Sequence, residues 1–177
     1  MKELVLKFDE KKGEVQFEQY SSEIHSRGMI AEIQRKFHTV VGEMAEMLIY
    51  SAAKDYSIKT VEKYELLFVA FTMVSKRLFA EQLMKQLPKR GYGVGEIIHW
   101  DEQKKQLAIT VKNCFNAVGF PPGKKPVCFA MAGILAGAAQ TIFRTDMQCL
   151  ETKCVAKGDE ICEFRMGTKT ERTYSQK

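Results

Sequence analysis

The sequence predicts an α+β protein in which an antiparallel sheet built from hairpins is covered on one face by long helices. Two observations support this fold class. Short segments that alternate apolar and polar residues occur in pairs around turn residues, and longer segments repeat apolar residues every three or four positions. The predicted order is hairpin, two long helices, hairpin, helix, hairpin. Strands and helices are therefore segregated and do not alternate as they would in a doubly wound fold.

The first half of the chain predicts a hairpin followed by two helices. "LVLKF" and "EVQFEQ" alternate in polarity around the turn-rich "DEKKG". Helical spacing of apolar residues runs from Ile30 to Ala53, and we attribute Gly42 inside this segment to close packing against another element. A second helix is predicted from Thr60 to Leu87. Its middle, "ELLFVAFTMV", is apolar nearly all round and should be buried.

The second half predicts two hairpins on either side of a third helix. "EIIHW" and "QLAITVKNCF" pair around "DEQKK" after the breaker-rich "LPKRGYGVG". Pro126 suits the first helical position of "VCFAMAGILAGAAQTIF", and "DMQCLETKCVA" and "EICEFRM" form the last hairpin. Small residues in this helix either admit a close neighbour or leave space for a ligand: Ala132, Gly133, Ala136, Gly137 and Ala139.

The composition is that of an ordinary globular protein. The 177 residues are 45% hydrophobic and 28% charged, with a net charge of +5. We predict one domain over residues 1–166 and a flexible tail over 167–177, which has no apolar pattern. No segment resembles a signal peptide or a membrane span of about 18 apolar residues, and no basic stripe is interleaved with aromatic residues. We therefore expect a cytoplasmic protein that binds neither membrane nor nucleic acid.

The five cysteines are concentrated near the last hairpin, where Cys154 and Cys162 are eight positions apart. If residues 156 and 160 pair, these thiols lie opposite each other on one face, whereas a two-residue turn at Gly158-Asp159 would send them to opposite faces. Glu151 has an odd offset from Cys154. It can join the thiols only if its strand is bulged or begins there.

Cys128 is the best candidate for a fourth ligand. It is predicted in the first turn of the third helix, where the partial positive charge of the helix end favours the thiolate that ligates metal. Three sulfurs and one carboxylate oxygen suit tetrahedral zinc and leave about −2 of formal charge. Basic residues nearby in sequence could offset that charge: Lys153, Lys157 and Arg165. The spacing alone leaves two alternatives, namely simple packing of buried thiols and a cross-strand disulfide.

The segment from Pro126 to Met166 resembles the C-terminal half of the 4-vinyl reductase domain family, and it is similar to the sensor domains of aromatic-responsive transcription activators. The shared pattern is a Cys that opens a small-residue helix, then Glu, two residues, Cys, seven residues including Gly-Asp, and Cys-x-Phe. Over Arg27 to Phe120 the resemblance is looser. It implies a zinc site made by four residues: Cys128, Glu151, Cys154 and Cys162. With all four positions filled by protein, this zinc would be structural.

The resemblance also implies a ligand-binding fold shared with NO-signalling and Golgi-transport proteins, and a small hydrophobic or aromatic ligand held in a cavity. Such a sensor or carrier would be a non-enzymatic homodimer that signals through a regulatory protein partner. Candidate pocket residues come from the helices and from the end of the "EIIHW" strand: Phe68, Phe71, Phe79, Met131, His99 and Trp100. Core packing is the alternative for the apolar residues, and a surface position is the alternative for His99.

Two other functions are weighed against the sensor. The family name suggests a reductase of vinyl groups on a tetrapyrrole-like substrate, but the sequence shows no Gly-rich dinucleotide fingerprint and no spaced Cys set for an iron–sulfur cluster. We therefore do not expect an enzyme. The third function is that of an assembly or scaffold subunit, because a vesicle-tethering complex is built on a similar fold.

Overall fold

The structure of the chain, a computed structural model, describes residues 6–9, 14–17, 20–22, 27–67, 75–118 and 120–168. The strands are β1 (Leu6–Asp9), β2 (Glu14–Phe17), β3 (Tyr20–Ser22), β4 (Val94–Asp101), β5 (Gln106–Lys112), β6 (Met147–Lys153) and β7 (Cys162–Thr168). The helices are α1 (Arg27–Val41), α2 (Met44–Leu67), α3 (Lys76–Met84), α4 (Gln86–Lys89) and α5 (Phe129–Phe143), and a 3₁₀ turn spans Val155–Lys157.

The predicted α+β class is confirmed. A small sheet has the order β1-β2-β3, and the main antiparallel sheet has the order β4-β5-β7-β6. The three predicted hairpins are present as β1–β2, β4–β5 and β6–β7, whereas β3 was not predicted. Helix α5 packs on β6 and β7 and also against α2, while α3 packs on β4. None of the described helices combines the length and the apolar character needed to cross a membrane.

Most of the core lies between the main sheet and α5. Strand β5 contributes Ile109 and Val111, β7 contributes Phe164, and α5 contributes Met131 and Leu135, all 2% exposed or less. Helix α5 is nearly all apolar because both the sheet and α2 cover it. The start of this buried helix is thereby held close to the β6–β7 hairpin.

The first predicted helix is in fact two helices, since α1 ends at Val41 and α2 begins at Met44. Gly42 has φ +62°, in the left-handed region that glycine adopts without steric cost, and its N–H donates to the carbonyl of His38 at 2.9 Å. A Cβ at Gly42 would meet no atom within 4 Å. The close-packing interpretation of Gly42 is therefore wrong, because the residue ends a helix.

Two other predicted helix boundaries are also wrong. The helix expected from Thr60 to Leu87 is divided: Ser75 is extended and its side chain accepts a hydrogen bond from the N–H of Leu78, so that a new helix begins at residue 76. Residues 68–74 of the apolar middle lie outside the described residues. In α5 the cap is Cys128, so Pro126 precedes the helix and is not its first residue.

The small-residue stripe of α5 admits a close neighbour, which is α2. A Cβ on Gly133 would lie 2.3 Å from the carbonyl oxygen of Tyr50, and one on Gly137 would lie 2.5 Å from that of Lys54. Ser57 Oγ also donates to the carbonyl of Ile134 at 2.7 Å, so the two helices are joined by a hydrogen bond. Glycine is required on this face because the backbones approach so closely.

We expect Gly137→Ala to lower the free energy of unfolding by about 1–3 kcal/mol, because the added methyl group collides with backbone atoms that cannot rotate away. Urea unfolding at fixed metal concentration measures the change. Gly123→Ala is the matched control, since the nearest atom to its Cβ would lie 3.9 Å away. Equal unfolding midpoints for the two variants would contradict the close approach of α2 and α5.

Candidate metal centre

Four side chains converge where the start of α5 meets the β6–β7 hairpin. The candidate ligand atoms of Cys128, Glu151, Cys154 and Cys162 all lie within 4.8 Å of one another. The three cysteines are fully buried and Glu151 is 8% exposed. The structure thus brings together the four residues that the sequence predicted as metal ligands.

The register of the last hairpin places the two hairpin thiols together. Lys153 pairs with Glu163, so the next residue along, Cys154, lies level with Cys162, as in the wider of the two registers considered. The register shifts between Glu151 and Lys153, which marks a β-bulge. The bulge supplies the irregularity that Glu151 needs in order to turn toward the thiols.

The Gly-Asp pair of the motif shapes the turn beside these thiols. Gly158 has φ +98°, in the region that favours glycine, and Asp159 Oδ2 accepts a hydrogen bond from the N–H of Cys154 at 2.7 Å. The N–H of Val155 points at Cys162 Sγ from 3.5 Å. Donors of this kind stabilise a sulfur that carries negative charge.

The start of α5 is fixed by two hydrogen bonds to side chains. The N–H of Cys128, the N-cap residue, donates to Glu151 Oε2 at 2.9 Å, and the N–H of Met131 donates to Asn116 Oδ1 at 2.8 Å. Asn116 is 1% exposed. Sequence reasoning missed Asn116, because an Asn after a strand is common and only the fold brings it to the helix.

The sulfur spacings match those around a single ion. Cys128 Sγ lies 3.7 Å from Cys162 Sγ and 3.9 Å from Cys154 Sγ. A tetrahedron with metal–sulfur bonds of about 2.3 Å has sulfur–sulfur edges of about 3.8 Å. A disulfide would require about 2.05 Å, and all five cysteines are free. Oxygen Oε1 of Glu151 is buried with no hydrogen-bond partner among the described residues, so it is left for an ion.

Without an ion, the centre holds protons. Burial raises the pKa of Glu151 to about 8. Hydrogen bonds with Cys114, Cys154 and Cys162, together with burial, raise the pKa of Cys128 far above its usual range. These effects outweigh the helix end, which was expected to favour a Cys128 thiolate. Binding of a divalent cation must therefore displace protons from the cluster.

Cys114 is a fourth buried thiol beside the cluster, and sequence reasoning did not place it there. It follows β5 and is 1% exposed. Hydrogen bonds with Cys128 and Cys162 lower the pKa of Cys114 to about 5. No spacing rule links it to the motif, because its approach to the thiols depends on how β5 pairs with β7.

The basic residues expected to offset the charge of the cluster pair with other carboxylates. Lys153 Nζ and Arg165 Nε each lie 2.9 Å from the carboxylate of Glu163, and Lys157 Nζ lies 3.6 Å from that of Asp159. Their predicted role is therefore corrected: these cations neutralise neighbouring acids. Backbone N–H groups and the positive end of α5 are the donors that face the cluster.

The predicted ligand-pocket residues are dispersed in the structure. Phe79 and Met131 are 1% and 0% exposed within the core. Trp100 is half-buried with its ring 5.2 Å from that of Phe143, and His99 on the same strand is exposed. The other two, Phe68 and Phe71, lie outside the described residues.

A cavity of about 60 Å³ lies instead among α2, α3, α4 and α5. Apolar side chains form much of its wall: Val61, Leu83, Met84, Leu87, Leu135 and Ala138. Polar side chains also line it: Tyr56, Ser57, Thr60, Gln86, Arg90 and Tyr92. None of the six predicted pocket residues is among them. The cavity is assembled from helices far apart in sequence, so no local pattern indicated it.

The fold and the centre together define an α+β domain with a buried set of sulfur and carboxylate donors suited to a metal ion. Residues 107–168 match the family model of the 4-vinyl reductase domain, and this match covers the main-sheet strands β5, β6 and β7 and helix α5. The resemblance to this family is thereby confirmed.

Curated relatives come from Methanocaldococcus jannaschii. Uncharacterized protein MJ0150 is 28% identical over 119 residues, which cover 67% of this chain and 62% of that protein. Uncharacterized protein MJ0745 is 33% identical over 67 residues, which cover 37% of this chain and 35% of that protein. The chain thus spans less than two thirds of the relatives that it matches.

Solved structures with the same fold include three of different function. The phenol-responsive sensory domain of the transcription activator PoxR, with phenol, has TM-score 0.77 and 14% identity, covering 97% of this chain and 92% of that one. Trafficking protein particle complex subunit 3 from Naegleria fowleri, covalently bound to palmitic acid, has TM-score 0.60 and 13% identity over 81% and 95%. A vinyl-4-reductase family protein from M. jannaschii has TM-score 0.53 and 19% identity over 82% of each chain. These likenesses confirm the predicted fold.

Proposed function

We propose that this chain is a zinc-stabilised module that binds a small hydrophobic or aromatic molecule as a sensor or carrier and not as an enzyme. The observation that supports the metal is the spacing of three buried sulfurs at 3.7 and 3.9 Å beside a carboxylate oxygen that lacks a partner among the described residues. Sulfur-rich tetrahedral donor sets select zinc among the common divalent ions.

The role that we assign to zinc is structural. Cys128, Glu151, Cys154 and Cys162 would fill all four positions and leave none for water or substrate. Zinc would then join the start of α5 to the last hairpin. Elemental analysis and native mass spectrometry of the reduced protein should show one zinc per chain, and cobalt(II) should give thiolate-to-metal absorption. A metal-free chain that fails to take up either ion contradicts the proposal.

The ligand site that we propose is the cavity among α2, α3, α4 and α5. Its volume of about 60 Å³ is smaller than the roughly 150 Å³ that admits benzene in a protein core. An aromatic ring therefore requires movement of flexible side chains such as Leu83 and Met84. The phenol bound in the PoxR domain, which has the same fold, supports a ligand of this chemistry.

We expect Ala138→Leu to weaken binding of phenol, used here as a probe, by at least tenfold, because the larger side chain fills the cavity. Calorimetric titration measures the affinity. Ala80→Leu is the matched control, since Ala80 is also a buried helix alanine but does not line the cavity. Equal binding by both variants would place the ligand elsewhere, and no binding by the parent protein would contradict the phenolic ligand.

The remaining parts of the proposal concern partners and location. We propose a homodimer that transmits ligand binding to a regulatory protein partner, with neither nucleic acid nor membrane bound. A cytoplasmic location is part of the same proposal, because a reducing compartment keeps the five cysteines as thiols able to ligate zinc.

A further inference from the structure

Helices α1 and α2 expose a continuous series of large apolar side chains. In α1 these residues follow one another at intervals of four, four, three and one, which places them on one helix face. Three more lie in the first turn of α2. We name the whole set the exposed apolar stripe: Met29, Ile33, Phe37, Val40, Val41, Met44, Met47 and Leu48.

Helix α1 is oriented opposite to an ordinary surface helix. Its buried residues are Ala31 and Gln34, at 2% and 7% exposure, whereas Val40 is 74% exposed. An amphipathic helix normally turns its apolar face to the core and its polar face to water. The sequence has the amphipathic pattern, so the apolar face of α1 is built for contact with something outside the chain.

The stripe is large enough for a stable interface. With about 200 Å² for a fully exposed large side chain, the observed exposures amount to roughly 800 Å² of apolar surface. The largest apolar patch of a typical monomer is about 300–600 Å². A standard protein interface buries about 800 Å² per partner.

The charges around the stripe favour self-association. Acids and bases there are paired within the chain: Glu32 with Arg35, His38 with Glu46 at 3.5 Å, and Glu43 with Lys125 at 2.7 Å. In a two-fold dimer the same patch faces itself, so an unbalanced charge would repel its copy. An anionic membrane would instead require an excess of Lys and Arg around the apolar face.

We propose that the exposed apolar stripe is the surface through which two copies of this chain form a two-fold homodimer. The inference deepens the homodimer part of the proposed function, and it depends on neither the metal nor the cavity. In this dimer the α1 helices of the two copies cover each other. Signalling between copies would then begin at α1 and α2, and α2 also lines the cavity.

Sedimentation velocity of the metal-loaded full chain tests the proposal. We expect a dimer for the parent protein and a monomer for the double variant Phe37→Glu/Val40→Glu, with at least a hundredfold weaker dimer dissociation constant. Both positions are half exposed or more, so the monomer fold should tolerate charge there. Ile98→Glu is the matched control: Ile98 is 49% exposed on β4, away from the stripe, and its variant should stay dimeric.

Metal content, measured on the same samples, separates this test from the proposed function, because a monomer that retains its metal is folded. If the double variant loses metal, Met47→Lys in α2 replaces it with the same expected result. A monomeric parent at about 50 μM, well above the dissociation constants of stable dimers, would overturn the proposal. So would a dimer that survives in the double variant, or one that Ile98→Glu abolishes. A monomeric parent that binds phosphatidylcholine–phosphatidylserine vesicles would assign the stripe to lipid.

Discussion

Cys162→Ala is expected to lose the bound metal and to lower the free energy of unfolding by roughly 5 kcal/mol or more, given the 10–16 kcal/mol typical of structural zinc. The variant removes one of three sulfur donors from a site with no exposed thiol. It also breaks the connection between β7 and the start of α5. Inductively coupled plasma analysis measures the metal, and urea unfolding measures the stability.

Cys149→Ala is the control for that result. Cys149 lies on β6 between the same elements, but it is half-buried and does not belong to the four-residue cluster. We expect this variant to keep one metal per chain and to lose about 1 kcal/mol. Cys114→Ala should also keep the metal, because Cys114 lies beside the four donors and not among them. Equal metal loss in all three variants would contradict a defined four-donor set.

The metal-free protein is expected to become less stable as pH rises from about 5 to 8. Burial raises the pKa of Glu151 from 4.5 to about 8 in the folded chain. Because the folded pKa lies above the unfolded one, the stabilisation is complete below pH 4.5 and is lost as pH rises through 8. At 1.36 kcal/mol per pKa unit, we expect a loss of roughly 3 kcal/mol after structural relaxation. Urea unfolding with a chelator present measures this slope.

The metal-loaded protein should show the opposite slope over the same range. Its ligands must give up protons to bind the ion, so metal affinity and the stability that it confers rise with pH. Glu151→Gln should flatten the metal-free slope, since the amide does not titrate. Glu163→Gln is the control, because contacts with Lys153 and Arg165 lower the pKa of Glu163 and place its titration below this range. An unchanged slope in Glu151→Gln would assign the effect to the thiols.

The last hairpin shows how far local pattern could be taken. Alternation and turn residues predicted both strands, and donor chemistry selected Glu151, Cys154 and Cys162. Two registers were possible, because Gly158 accepts the backbone of either turn. The choice was made by the bulge before Lys153 and by Asp159, whose side chain caps the N–H of Cys154.

The helices show where local pattern failed. Apolar periodicity continues across Gly42 and Ser75, so the predicted helices ran through two positions where the backbone leaves the helical conformation. A helix-compatible pattern states which face is apolar but not where the chain must turn. The same limit applies to α1, whose apolar face was recognised but was expected to lie against the core.

The sequence by itself determined the α+β class, the three hairpins and the four donor residues. These follow from strand alternation, helical spacing and ligand chemistry, which are properties of short segments. Only the tertiary structure decided that the donors converge within 4.8 Å, that Cys114 and Asn116 stand beside them, and that α2 and not a ligand fills the glycine face of α5. Each of these depends on the distance between segments far apart in the chain, and packing sets that distance.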